Sequence, residues 1–154
     1  MLKKTFLLIV ILLVSSCGYK AIHSKKSMDN YNFSISTLNF VGDRDINLKI
    51  KEKLNNYTLD KKNKNFMLEI TSLAKKEIVA RNISGDPTSF KSTVIIDIKV
   101  SVESKLKNNL QIVENFNYNN NDNKFDLKKY EREIKNNLTE TAIDKLIYKL
   151  SNIQ

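Results

Sequence analysis

Apolar side chains recur at every second position in four stretches of this chain, a pattern that predicts four β-strands. The third stretch is the clearest: its second face is polar except at Ile95, and its first face carries Phe90, Val94, Ile96, Ile98, Val100 and Val102. An apolar face and a polar, solvent-exposed face indicate an antiparallel sheet that is covered on a single side. The predicted strands cover about residues 31–41, 66–81, 90–103 and 110–118.

Apolar residues spaced three and four positions apart predict two amphipathic helices. The first is predicted at about 44–57, directly after an aspartate that can cap its N-terminus, and the second at about 126–150. The resulting order is β-α-β-β-β-α. We therefore predict an α+β fold, in which two amphipathic helices pack on one face of a four-stranded sheet. If the first two strands pair directly, they are parallel and joined by a right-handed crossover.

Turn residues separate the last three predicted strands. The segment 82–88 contains one of the three glycines and the only proline of the chain, so it predicts a turn between the second and third strands. Lys107-Asn108-Asn109 is the predicted turn between the third and fourth strands. These three strands are therefore expected to form a meander.

The N-terminus has the three parts of a secretory signal peptide. Lys3 and Lys4 precede an apolar stretch of about ten residues, and small residues then lead to Cys17. A lasting membrane-spanning helix needs about 20 apolar residues, so this stretch is too short to be one. The end of the signal is similar to the lipobox of bacterial lipoproteins, in which the cysteine is acylated. The alternative is an ordinary signal peptide with a chance cysteine.

These features predict three segments along the chain. Residues 1–16 are the lipoprotein signal peptide, and residues 17–30 are the acylated N-terminus with a polar tether. Residues 31–154 form a single α+β domain of a size that suits one core. The covalent diacylglycerol and N-acyl lipid on Cys17 are the only non-protein groups expected.

The chain is basic, with a formal net charge of +9. Loss of Lys3 and Lys4 with the signal peptide reduces 26 Lys+Arg to 24, which against 17 Asp+Glu leaves +7. Such a charge suits an acidic lipid, glycan or nucleic acid. Abundant Lys, Asn and Ile are equally explained by the codon bias of an AT-rich genome. We expect no nucleic-acid partner, because the basic residues are dispersed and the aromatic residues mostly occupy predicted core positions.

No set of residues with catalytic chemistry is evident. Cys17 is the only cysteine, and the only histidine is His23 on the predicted tether. Three glycines in the chain cannot make a glycine-rich phosphate loop. We therefore expect a non-enzymatic protein that holds no metal and no cofactor.

One cluster of basic residues is a candidate anion site. Lys75, Lys76, Arg81 and Lys91 come close to the turn at 82–88 if the second and third strands form a hairpin. Arginine offers a planar, bidentate fork for phosphate that lysine lacks. One interpretation is a contact with lipid phosphate at this end of the sheet, and the other is an ordinary solvated hairpin.

Three stretches resemble the family of the lipopolysaccharide-assembly lipoprotein LptE. They are Cys17-Gly18-Tyr19 after the lipobox, the segment 78–82 that leads through a glycine turn into 94–98, and the end of the last helix at 142–150. The element order resembles the same family over the whole mature chain.

The resemblance implies a lipid-anchored outer-membrane protein that faces the periplasm. Members of the family act as a plug in the β-barrel of LptD, assist assembly of that barrel, and bind lipopolysaccharide during its delivery to the outer leaflet. Arg81-Asn82 matches a basic turn of the family, and Lys124 or Lys128 corresponds to a second basic contact. Gly18 after the acylated cysteine fits sorting to the outer membrane. The rival hypothesis is a structural lipoprotein that anchors another envelope or secretion assembly without a lipid ligand.

Overall fold

A computed structural model describes residues 32–59 and 62–153, and it confirms the predicted order β-α-β-β-β-α. The predicted signal peptide, Cys17, the tether and Tyr31 lie outside the described residues. A short 3₁₀ turn, Asn55–Tyr57, extends the first helix. The elements are β1 (Phe33–Gly42), α1 (Arg44–Leu54), β2 (Lys64–Arg81), β3 (Pro87–Val102), β4 (Lys105–Asn119) and α2 (Lys124–Ser151).

The four strands form one mixed sheet in the order β1-β2-β3-β4. β1 pairs with β2 in parallel through α1, as predicted for direct pairing, whereas β2–β3 and β3–β4 are antiparallel. α2 has 28 residues, or about 42 Å at 1.5 Å per residue. It contacts β3, β4 and α1, so both helices cover the same face of the sheet.

The core lies between the helices and this face, as the alternation in the strands predicts. Tyr130, which shares the predicted apolar stripe of α2, is 44% exposed, while Ile143 and Ile147 beside that stripe are buried. None of the described helices is long and apolar enough to cross a membrane. The buried side chains of the core include Ile46, Ile50, Leu54, Phe66, Leu68, Ile70, Val94, Ile96, Ile98, Val100, Leu146 and Leu150.

The turn predicted at Lys107–Asn109 is wrong. The chain reverses four residues earlier, in a two-residue turn made by Glu103 and Ser104, and Lys107–Asn109 belongs to β4. Both turn residues have positive φ, 48° and 65°, as a type I′ hairpin requires. The sequence gives no signal for this turn, because Glu and Ser are not among the residues that favour positive φ.

Replacing this turn with Asn-Gly is expected to stabilise the domain. Glu103→Asn with Ser104→Gly removes side chains that resist positive φ, at a cost of about 1 kcal/mol per residue in the present turn. We expect the free energy of unfolding to rise by about 1–2 kcal/mol in urea titrations. Because the two side chains are exposed, a fall in stability would contradict the positive-φ turn.

An ion pair joins the beginning of α1 to the middle of α2. The Asp43 carboxylate accepts hydrogen bonds from the backbone N–H groups of Asp45 and Ile46, at 3.0 and 3.2 Å, and so caps α1. The Lys135 ammonium lies 2.8 Å from the same carboxylate and 3.3 Å from that of Asp45. Burial alone would raise the pKa of Asp43, but the hydrogen bonds from Lys135 and the cap outweigh it, and the net pKa lies below its usual value.

This lowered pKa predicts how acid affects stability. The contribution of ionised Asp43 is present above its unfolded pKa and is lost as the pH falls through the lower folded pKa. Asp43→Asn keeps an oxygen for the cap but removes the charge, and we expect it to cost about 1 kcal/mol at pH 7. The difference from the unsubstituted protein should shrink as the pH falls below 3.8, the ordinary value of this carboxyl.

Thermal unfolding between pH 2 and pH 7 measures this effect. Asp45→Asn is the matched control, because Asp45 is 77% exposed and its contact with Lys135 is longer. Equal pH dependence of the Asp43→Asn variant and the unsubstituted protein would show that the pair contributes nothing.

Candidate functional site

The tip of the β2–β3 hairpin is a compact loop that the Arg81 side chain closes. The guanidinium Nη1 of Arg81 donates to the carbonyl of Gly85 at 2.7 Å. Asn82 and Asp86 pair across the base of the loop, through Asn82 N–H to the Asp86 carbonyl at 2.9 Å and Asp86 N–H to Asn82 Oδ1 at 2.8 Å. The φ of +88° at Gly85 turns the chain back into β3. Arg81 is therefore positioned at the tip and exposed, and within the described residues no other hydrogen bond or ion pair engages its side chain.

Two of the predicted basic residues lie together on the open face of the sheet, which is the face that the helices do not cover. Lys91 lies opposite Glu77 in the register, and Lys75 lies opposite Thr93. Lys75 and Lys91 are therefore diagonal neighbours, at a separation of about 7–8 Å between α-carbons. Within the described residues, no hydrogen bond or ion pair engages either ammonium group. They are available to an anion.

Lys76 lies on the opposite, helix-covered face and is engaged there. Its ammonium is 2.5 Å from Glu131 Oε1 and 3.9 Å from the centre of the Phe90 ring. The Tyr118 hydroxyl donates to the same Glu131 oxygen at 2.9 Å. Burial, followed by this hydrogen bond and the charge of Glu131, raises the pKa of Tyr118. Lys76 thus fastens α2 to the hairpin, which leaves it poorly placed for a ligand.

The two lysines predicted from the start of the last helix are both exposed on α2. Lys124 reaches back to the carbonyl of Asn121 at 3.4 Å. Among the described residues, Lys128 has no ion pair or hydrogen bond through its side chain, and none joins it to the hairpin. The structure therefore brings Lys75, Lys91 and Arg81 to one end of the sheet and does not connect Lys128 with them.

The same tip carries exposed apolar residues that the alternation pattern did not predict. Ile83 projects from the loop fully into solvent, and Ile78 and Val79 are 44% and 53% exposed. Adjacent aliphatic residues before the turn and an isoleucine within it break the alternation of β2, which is the signal that could have revealed them. The tip thus combines apolar side chains with the cationic side chains of Arg81, Lys75 and Lys91, an arrangement that suits an amphiphilic anion.

Metal ligands are not assembled in the part of the chain that the structure describes: no three His, Cys, Asp or Glu side chains are grouped to hold an ion.

Comparison of the sequence with protein families and with characterised proteins gives no match. Comparison of the fold with solved structures does give matches. The chain is similar to rare lipoprotein B from Shewanella oneidensis, with a TM-score of 0.57, 13% identity, and coverage of 75% of this chain and 93% of that one.

Two further lipoprotein structures share the fold. The solution structure of an uncharacterized lipoprotein B from Nitrosomonas europaea has a TM-score of 0.54 and 11% identity, over 77% of this chain and 83% of the other. A minor lipoprotein from Acinetobacter baumannii has a TM-score of 0.51 and 11% identity, over 79% and 88%. At these identities the likeness establishes the fold, and the described domain therefore has the α+β fold of these bacterial lipoproteins.

Proposed function

We propose that this protein is a non-enzymatic, LptE-like outer-membrane lipoprotein. It assists assembly of an LptD-type β-barrel and binds lipopolysaccharide on its way to the outer leaflet. The observation that carries the proposal is the combination of a lipobox at Cys17 with a domain whose fold is that of solved bacterial lipoproteins. Acylation at Cys17 holds the domain on the periplasmic side of the outer membrane.

The hairpin tip supports the lipid-binding part of the proposal. Lipopolysaccharide carries phosphates next to acyl chains, and the tip places Arg81 next to the fully exposed Ile83. Arginine binds phosphate through a bidentate fork, and an exposed aliphatic side chain gains free energy when it leaves water. Lys75 and Lys91 lie on the open face with Glu77 between them, so these three side chains add one positive charge to that face.

Recovery of the barrel is the test of the assembly role. The full-length protein, purified from its own cells in mild detergent, should bring with it an outer-membrane β-barrel of the LptD type. Recovery of only periplasmic or inner-membrane proteins would overturn the proposal and favour a structural lipoprotein of another envelope assembly.

Charge reversal at Arg81 tests the lipid site separately. We expect Arg81→Glu to lower the affinity for lipopolysaccharide about tenfold or more, because a charge-assisted phosphate contact contributes about 1.5–3 kcal/mol and becomes repulsive. Fluorescence titration with the purified lipid measures the change.

Arg132→Glu on the exposed surface of α2 is the matched control for net charge. Unchanged affinity in the Arg81→Glu variant, or equal loss in both variants, would show that the tip is an ordinary solvated hairpin.

A further inference from the structure

The outer edge of β4 is a row of backbone groups that no described strand pairs with. β4 is the last strand of the sheet. The carbonyl of Gln111 accepts from the Lys149 ammonium at 3.4 Å and so faces away from β3, whereas Asn120 N–H donates to Thr88 at the opposite side. Because backbone groups alternate sides along an antiparallel strand, odd-numbered residues face outward. The outward N–H and C=O groups include those of Val113, Asn115 and Asn117.

The C-terminal part of this edge, 110–119, lacks the features that keep edge strands from pairing. Natural edge strands carry lysines, prolines or bulges that prevent another strand from adding to them. The first five residues of β4 include Lys105 and Lys107 and a register shift against β3. The last ten residues have neither Lys nor Pro, and their single charge, Glu114, is neutralised by Lys145 at 2.6 Å.

Two grooves between β4 and α2 border this C-terminal part of the edge. One lies at Leu110 and is walled by Tyr148 of α2, which is 68% exposed. The other lies at Phe116 and is walled by Tyr130. Leu110 and Phe116 are six residues apart, or about 20 Å along a strand. Side chains six positions apart in an added strand lie on one face and so reach both grooves.

The two grooves carry opposite charges. Asp122 and Asp126 line the groove at Phe116, and Lys107 and Lys149 line the groove at Leu110. An added strand with a basic residue at one end and an acidic residue at the other would match this polarity. The opposite charges of the two grooves also favour one direction of the added strand relative to β4.

We propose that the β4 edge binds an extended segment of a partner protein as a fifth strand. Backbone hydrogen bonds to the outward groups of 113–117 supply affinity, as in other cases of strand addition. Two large apolar side chains, six positions apart, fill the grooves and set the register. The terminal charges of the segment set its direction. The β4 edge and its two grooves share no residue with the hairpin tip, so this proposal stands apart from lipopolysaccharide binding.

Selection from random twelve-residue peptides displayed on phage, with the purified full-length protein as bait, tests the proposal. The enriched peptides should carry two large apolar residues six positions apart, with a basic residue towards one end and an acidic residue towards the other. Asn115→Pro removes one outward N–H without removing a bond to β3, and proline is tolerated at such edge positions. We expect it to weaken the selected peptides at least tenfold, while Asn115→Ala changes their affinity less than threefold.

Asn117→Pro is the second variant should Asn115→Pro fail to fold, as judged by circular dichroism. Enrichment of peptides without the pattern, no enrichment at all, or equal binding to the Ala and Pro variants would each overturn the proposal. A dimer of the purified protein that Asn115→Pro converts to a monomer would also overturn it, because a second copy would then occupy the edge.

Discussion

Replacing Gly42 with alanine is expected to destabilise the domain by at least about 3 kcal/mol. Gly42 ends β1 with a φ of +100°, where alanine is strained. A β-carbon at this position would lie 1.9 Å from the backbone oxygen of Ser72. Backbone at this point cannot retreat freely, because that oxygen accepts from Asp43 N–H at 3.0 Å. Relief of the clash would therefore separate the parallel strands where α1 begins.

Gly85→Ala is the matched control for this substitution. Its φ is +88°, but nothing lies within 4 Å of an added β-carbon. Only the conformational cost remains, about 1 kcal/mol. Urea unfolding of the two variants separates the clash from the cost of positive φ. Equal destabilisation by the two alanines would contradict the close approach of Gly42 to β2.

Replacing Cys17 with serine is expected to remove the protein from the membrane. The serine hydroxyl does not replace the thiol as the acceptor of diacylglycerol. Each buried methylene of an acyl chain contributes about 0.8 kcal/mol to membrane binding, and two or more chains make the anchor stable. We expect loss of labelling by radioactive palmitate and at least a tenfold fall in the share of protein that remains in carbonate-washed membranes.

Ser16→Ala keeps a small residue before the cysteine and is the control that should still be acylated. Palmitate labelling of the Cys17→Ser variant, or its retention at the level of the unsubstituted protein after the carbonate wash, would contradict acylation at this residue. Retention only in unwashed membranes would indicate that contact with a partner, rather than lipid, holds the domain there.

Local periodicity explains why so much of the fold could be predicted. Alternation assigned Val94, Ile96 and Ile98 to one face of β3, and all three are buried. Spacings of three and four placed Ile46, Ile50 and Leu54 against the sheet in the same way. The pattern predicts the buried face reliably, because a shift of the strand register by one residue would move a whole set of apolar side chains into water.

The candidate site was only partly predictable. The sequence placed Lys75 and Lys76 in one cluster near the turn, although adjacent strand residues point to opposite faces of a sheet. It did not show that Glu131, 55 residues later, would bind Lys76. It also did not show that Arg81 would close the loop on Gly85. These contacts depend on where α2 crosses the hairpin and on the loop geometry.

The sequence by itself determined the element order, the dry face of the sheet, and the predicted export and acylation signal, because each of these is encoded in neighbouring residues. The tertiary structure alone decided the rest. It located the turn at Glu103–Ser104, the close approach of Gly42 to Ser72, the pairing of Asp43 with Lys135, and the unpaired edge of β4. Each of these depends on register or crossing position, which are set by packing among residues far apart in the chain and leave no periodic trace in it.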